Sequence, residues 1–169
     1  QGSLDYLRAI RAAVALPILR KEFMIDPLQV WEARQAGADA ILLIAGFVPW
    51  ARLTELRDTA HEAGLDVLLE IHAAEELDDA LALEPDVLGV NNRNLRIENF
   101  STDLTTTFEL AGLVPETRTF ISESGIRTRE DVQRLAEVGV DGILVGEHLM
   151  REPNPGMAIS GRLGITGID

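Results

Sequence analysis

The chain has 169 residues, enough for one domain with a sizeable core but short of the roughly 250 typical of a closed eight-stranded α/β barrel. Its formal charge of −13 comes without a Lys/Arg cluster, which argues against a nucleic-acid partner and requires any anionic ligand to find a local site. The lack of cysteine excludes a disulfide framework and a thiolate metal site, and no apolar run approaches the ~18 residues of a membrane span, so the expectation is a soluble cytoplasmic protein with no membrane partner.

In chain order, the first predicted strand covers residues 16–23 and contains Lys21. Fourteen of the fifteen basic residues are Arg, and Lys21 is the single Lys. Codon bias accounts for this in one reading. In the other, the position needs an amine whose proton affinity burial can tune, which a guanidinium does not offer. Asp26-Pro27 then supplies an N-cap and a first-turn Pro for a helix over 28–36.

From here a pattern recurs. Gly37-Ala38-Asp39 precedes an apolar run at 40–45, Gly64-Leu65-Asp66 precedes 67–71, Pro85-Asp86 precedes 87–90, and Gly139-Val140-Asp141 precedes 142–145. Gly after a helix supplies the left-handed cap, and short runs that do not alternate are strands buried on both faces. A fifth run of this kind lies at 119–123. Helical periodicity links them at 50–63, 74–83, 104–113 and 129–138, the last capped by Thr128 with Glu130 and Asp131 in its first turn. Six strands alternating with helices make an open doubly wound sheet or part of a barrel. No Gly-x-Gly-x-x-Gly follows a strand, which lowers the dinucleotide-binding reading.

In either fold the site lies at the carboxyl ends of the strands. The residues there are Lys21, Glu70, Asn91 and Glu123, and the last run ends in Gly146-Glu147-His148. With two-residue alternation Leu68 and Glu70 share one face of their strand and Val67, Leu69 and Ile71 the other. If the latter face meets helices, Glu70 points into a barrel mouth, where desolvation raises a carboxyl toward general acid or base work near neutral pH. The alternative is a structural ion pair with Lys21 or Arg93. His72 reads as a bystander. Gly125 and Gly146 each turn a strand end toward a helical start, presenting backbone N–H groups that together suit one phosphate; either alone is a tight-turn residue.

These residues fall in motifs that resemble a known family. Leu19-Arg20-Lys21-Glu22-Phe23 with Ile25-Asp26-Pro27 resembles the third strand of indole-3-glycerol phosphate synthase, Ala36 to Ile44 the fourth, and Leu69-Glu70-Ile71-His72 the fifth. Asn91-Asn92-Arg93-Asn94-Leu95 resembles the sixth, Ser122-Glu123-Ser124-Gly125-Ile126 the seventh, and Leu144 to Met150 the eighth. The likeness implies an incomplete (β/α)8 TIM barrel of the ribulose-phosphate-binding type, with six of eight βα units in a single domain over 1–169 and an atypical Gly-rich tail at 160–169. It implies conversion of 1-(2-carboxyphenylamino)-1-deoxyribulose 5-phosphate to indole-3-glycerol phosphate with loss of carbon dioxide and water, in tryptophan biosynthesis, with no metal or organic cofactor.

By that resemblance Lys21 is the general acid at the substrate ketone, Glu70 the acid or base of the later dehydration, and Asn91 and Glu123 hold substrate hydroxyls. Gly125, Gly146 and Glu147 bind phosphate through backbone N–H groups, with Ser124 near and Arg93 as a charge behind them. Such a reaction makes a hydroxyl from a carbonyl and expels it as water, which calls for an amine and not a guanidinium and weakens the codon-bias reading. Glu22 departs from the family's more frequent Asp, and His148 stands where a small residue is common. Two further strands, bearing a Glu, a second catalytic Lys and a Ser-Pro-Ser loop, precede this region in the family. Without them the isolated chain is expected to be inactive and to expose open edges for self-association or a complementing fragment. The alternatives are a non-catalytic phosphate-binding fragment and another phosphate-binding barrel of the phosphoribosylanthranilate isomerase or thiazole synthase type.

Overall fold

A computed structural model describes residues 2–93 and 104–162. Asn94 and Leu95 of the sixth-strand motif, and residues 163–169 of the Gly-rich tail, lie outside that range. Two compact units are present, one of Gln1–Ile71 with Glu75–Leu88, the other of His72–Ala74 with Gly89–Asp169. Among the described residues no helix is long and apolar enough to cross a membrane.

The first unit opens with α1 (Leu4–Ala13), which the sequence reading did not anticipate, although Ser3 caps it by accepting the Tyr6 N–H and Asp5 stands in its first turn. Next come β1 (Leu19–Arg20), α2 (Pro27–Ala36), β2 (Ala40–Ile44), α3 (Trp50–Glu62), β3 (Asp66–Ile71) and α4 (Leu77–Ala82), the last preceded by a single 3₁₀ turn at Ala74–Glu76. The strands pair in parallel in the order β1-β2-β3, with Leu19 beside Ala40, Ala40 beside Asp66 and Ile44 beside Glu70. Val67 to Ile71 are buried on both faces, as their near-continuous apolar run predicts. Ile41, Leu43, Leu53, Leu56, Leu65, Leu69 and Ile71 are all but fully enclosed; burying each such side chain stabilises by roughly 1.5–3 kcal/mol before entropy is counted.

The first strand is two residues long, not the eight of 16–23. Pro17 has no N–H to give a ladder. Beyond Lys21 the chain is drawn onto the start of α2, where the Gln29 side chain accepts from the Ile25 and Asp26 N–H groups and donates to the Phe23 carbonyl. Lys21 is therefore the first residue past the strand.

The strand β4 (Val87–Asn91) starts in the first unit and ends in the second, which continues with α5 (Thr105–Ala111), β5 (Thr119–Glu123), α6 (Arg129–Glu137), β6 (Gly142–Leu144), α7 (Glu147–Met150) and α8 (Pro155–Arg162). The β5–β6 pair is parallel, Ile121 beside Gly142 and Glu123 beside Leu144. Thr128 and Asp131 form a reciprocal capping box at α6, as its start signals predict. Leu104, Ile126 and Leu135 centre a core joined by Phe108, Val132, Val140, Ile143, Val145 and Leu149. Helix α8 begins where Asn154 Oδ1 accepts the Met157 N–H, with Pro155 at its first position, and runs three residues into the segment read as a tail.

Three of the recurrent aspartates, Asp39, Asp86 and Asp141, have a common task. Asp39 Oδ2 accepts the Ile18 N–H at 2.7 Å while the Asp39 N–H donates back to the Ile18 carbonyl at 2.9 Å. Asp141 and Phe120 exchange the same two bonds at 2.8 Å each. Asp86 Oδ2 accepts the Val67 N–H at 2.8 Å. Each carboxylate thus ties the start of its own strand to the start of the preceding one. The preceding Gly37 and Gly139 have φ of 96° and 84°, which a side chain disfavours; at Gly37 a Cβ would also meet Arg11 Cγ at 2.8 Å.

Burial alone would raise the Asp86 carboxyl, but bonds from His61 Nε2 at 3.0 Å and from the Val67 N–H, with the His61 charge, outweigh it and hold the group below the ordinary 3.8. A depressed native value means the folded state binds this proton less readily than the unfolded chain. The stabilisation is thus complete above about pH 4 and lost as the pH falls through the native value. We expect the fall in urea midpoint between pH 5 and pH 3 to be smaller in Asp86→Asn than in the parent; equal falls would remove Asp86 from the acid response.

Candidate active site

In the first unit Glu70 is the penultimate residue of β3 and Lys21 directly follows β1. Leu68 and Glu70 are 5 % and 3 % exposed, so the face they share is closed to water almost as fully as the opposite one. The Glu70 carbonyl accepts the Ala45 N–H, which fixes the strand end beside β2. Lys21 Nζ donates to Glu70 Oε2 at 3.0 Å; the carboxylate side chain is 4 % exposed and the lysine 42 %. This is the ion pair that the alternative reading of Glu70 foresaw with Lys21. It also sets an amine and a buried carboxylate within proton-transfer distance. Two residues past Lys21, the Phe23 ring packs on Phe47 with centroids 4.7 Å apart, and both rings remain largely in water.

In the second unit Asn91 ends β4 and Glu123 ends β5. Glu123 is 1 % exposed. Asn91 Oδ1 accepts the Arg93 N–H at 3.0 Å, turning the chain at the strand end. Ser124 and Gly125 have φ of 64° and 77°, two successive left-handed residues directly after β5. The Ser124 N–H donates to the Leu144 carbonyl at 3.4 Å. Helix α6 starts only after Thr128, three residues past Gly125.

Gly146 precedes α7 with open space around a would-be Cβ and a negative φ of −113°, outside the left-handed region that calls for glycine. The Glu147 carboxylate bridges two guanidiniums, Arg93 Nη2 at 2.7 Å and Arg151 Nη2 at 2.7 Å. These side chains are 40 % to 78 % exposed, so the bridge is a surface network of small energetic weight. His148 Nε2 is buried with no hydrogen-bond partner among the described residues.

A buried polar network escaped the sequence reading. Asn92 and Thr107 are 3 % and 0 % exposed, and Ser122 is 0 %. Asn92 Nδ2 donates to Ser122 Oγ at 3.0 Å, to the Glu123 carbonyl at 3.0 Å and to the Ser124 carbonyl at 3.3 Å. Its Oδ1 accepts the Thr107 N–H at 3.2 Å and Oγ1–H at 2.9 Å, and Thr107 Oγ1 lies 2.8 Å from Ser122 Oγ. The one sequence signal was a second polar residue after Asn91 at a strand end.

Residues 1–161 match the family model described as indole-3-glycerol phosphate synthase. A protein of that name from Azospirillum brasilense is 51 % identical over 152 residues, 90 % of this chain and 57 % of the relative. Another, from Polynucleobacter asymbioticus, is 49 % identical over 160 residues, 95 % of this chain and 59 % of the relative. The chain thus spans about three fifths of the length of these curated relatives. Among solved structures, the crystal structure of 3-hexulose-6-phosphate synthase superposes with a TM-score of 0.74 at 16 % identity, covering 92 % of this chain and 76 % of that one. That is a likeness of fold, and it decides between the two architectures open to the sequence: the six βα units are those of an incomplete (β/α)8 barrel.

Proposed function

The chain belongs to the indole-3-glycerol phosphate synthase family, and from that premise we propose that the full-length protein closes the indole ring of indole-3-glycerol phosphate. The substrate is 1-(2-carboxyphenylamino)-1-deoxyribulose 5-phosphate and the other products are carbon dioxide and water. The aromatic carbon bearing the carboxylate attacks the ketone carbon, and Lys21 gives the new hydroxyl its proton. The carboxylate leaves as carbon dioxide, and the hydroxyl then leaves as water with Glu70 serving the proton transfers. Asn91 and Glu123 hold substrate hydroxyls. Backbone N–H groups of Gly125, Gly146 and Glu147 bind the phosphate, with Ser124 beside them and Arg93 supplying positive charge.

The observation that carries this reading is the 3.0 Å contact between Lys21 Nζ and Glu70 Oε2 at two strand ends. An acid that must serve one oxygen twice needs a neighbour that returns its proton, and a buried carboxylate in contact with the amine is such a neighbour. The lysine side chain is 42 % exposed, so its ammonium can be approached by a substrate oxygen while it faces Glu70. The Arg93–Glu147–Arg151 bridge supports a modest net positive charge beside Gly146, in a chain otherwise strongly acidic.

The reading is tested by incubating the full-length protein with the ribulose phosphate and following indole fluorescence and released carbon dioxide together. One-to-one formation of both is expected. Fluorescent product without carbon dioxide, or neither, would sink the proposal. The 169 residues alone are expected to show little or no turnover, since groups that act as a unit lose far more than their share when some are missing. A working place in the cytoplasm is part of the same proposal.

A further inference from the structure

We propose that Asn92 is a positioning residue for the reaction: its buried amide fixes the backbone of Glu123 and Ser124, and through them the Glu123 carboxylate and the left-handed turn at Ser124-Gly125. The inference rests on the reading above that Glu123 contacts substrate.

Three features carry it. First, the amide is enclosed, 3 % exposed, and all of its hydrogen-bonding capacity is used inside the protein. Only a side chain with two N–H donors and an acceptor oxygen can make this set at once. Second, its two halves have different destinations. The oxygen accepts from Thr107 at the first turns of α5, which anchors the amide to a helix. The nitrogen ends on the carbonyls of the last strand residue and the one after it.

Third, the Glu123 carbonyl receives a second bond from the Asn92 N–H at 2.9 Å, so backbone and side chain of one residue hold it together. The Ser124 carbonyl belongs to a side-chain-bearing residue at φ 64°, a conformation that needs support from its surroundings. A bond from the amide gives that support 3.3 Å away. The catalytic carboxylate thus stands on a backbone pinned from Thr107 through Asn92.

The test is a double-mutant cycle in the full-length protein, using Asn92→Asp, Glu123→Gln and the pair. Asn92→Asp keeps the shape and the bonds from Thr107 but replaces the donor with a carboxylate oxygen against two carbonyls. A misplacement of this order is expected to lower kcat/KM about 100-fold in the parent. With Glu123 already replaced, the same change should cost less than about threefold in kcat, because the carboxylate it positions is gone, and the loss through the Ser124-Gly125 turn remains as a rise in KM. Multiplying effects on kcat would overturn the proposal and leave the assignment of Glu123 standing. Full activity in Glu123→Gln alone would instead overturn that assignment, and the inference with it.

Leu110→Ala, which opens a cavity on α5, controls for lost stability and is expected to lower Tm with kcat within about twofold of the parent. If it matches Asn92→Asp in kcat at equal loss of Tm, the role of Asn92 is structural. Asn92→Ser, smaller and neutral, runs the same cycle should the buried carboxylate prevent folding.

Discussion

Replacing Lys21 by Arg is expected to lower kcat of the full-length protein at least about 1,000-fold while changing the unfolding free energy by less than about 1 kcal/mol. Arg keeps the positive charge, and the lysine side chain it replaces is 42 % exposed, so the larger head has room to turn and pair with Glu70. What it cannot do is release a proton, because the guanidinium stays protonated at any working pH. Two roles for Lys21 are thus separated in one substitution. A structural partner of Glu70 would be replaced well by Arg, and activity would survive. A proton donor would not be replaced at all. Initial rates of indole fluorescence and a urea titration on the same preparation decide between them. More than about a tenth of the parental kcat in Lys21→Arg would take the acid role away from Lys21.

Much of the fold was legible because its signals are local. A left-handed cap needs Gly, and Gly37, Gly64 and Gly139 take positive φ as their place after helical runs implied. Strands buried on both faces need unbroken apolar runs, and β2, β3 and β5 lie where those runs lie. The recurring Asp was visible too, but its task was not: the N–H groups it binds lie 19 to 21 residues earlier. The first strand was read too long because the pull of Gln29 on residues 23–26 depends on α2 being in place.

The site divides along the same line. Lys21, Glu70, Asn91 and Glu123 announced themselves as polar residues closing apolar runs. Asn92 did not, since two adjacent asparagines look alike in sequence and the partners that distinguish them are 15 and 30 residues away. The Glu147 carboxylate was likewise unreadable, because Arg93 lies 54 residues before it.

The Lys21–Glu70 pair should also be unequal in what each half does for stability. Glu70→Leu is expected to leave the unfolding free energy unchanged or raise it by about 1 kcal/mol, while Lys21→Met lowers it by about 1–3 kcal/mol. The reason is where each charge sits. Removing the carboxylate leaves an ammonium that already reaches water, and fills a 4 %-exposed position with an apolar side chain of similar size. Removing the amine takes from a nearly enclosed carboxylate the cation 3.0 Å away, so less of the desolvation of that charge is offset. The partial exposure of Lys21 keeps the cost below that of a fully buried pair. In the double variant most of the Lys21→Met loss should be recovered, since no buried charge remains to be balanced. Urea titrations of the four proteins measure the asymmetry, and both single variants should fall at least about 100-fold in kcat. Equal destabilisation by Glu70→Leu and Lys21→Met would mean that the carboxylate is there to hold the fold. The expected inequality means the fold tolerates Glu70 at that strand end for its chemistry, and would be as stable without it.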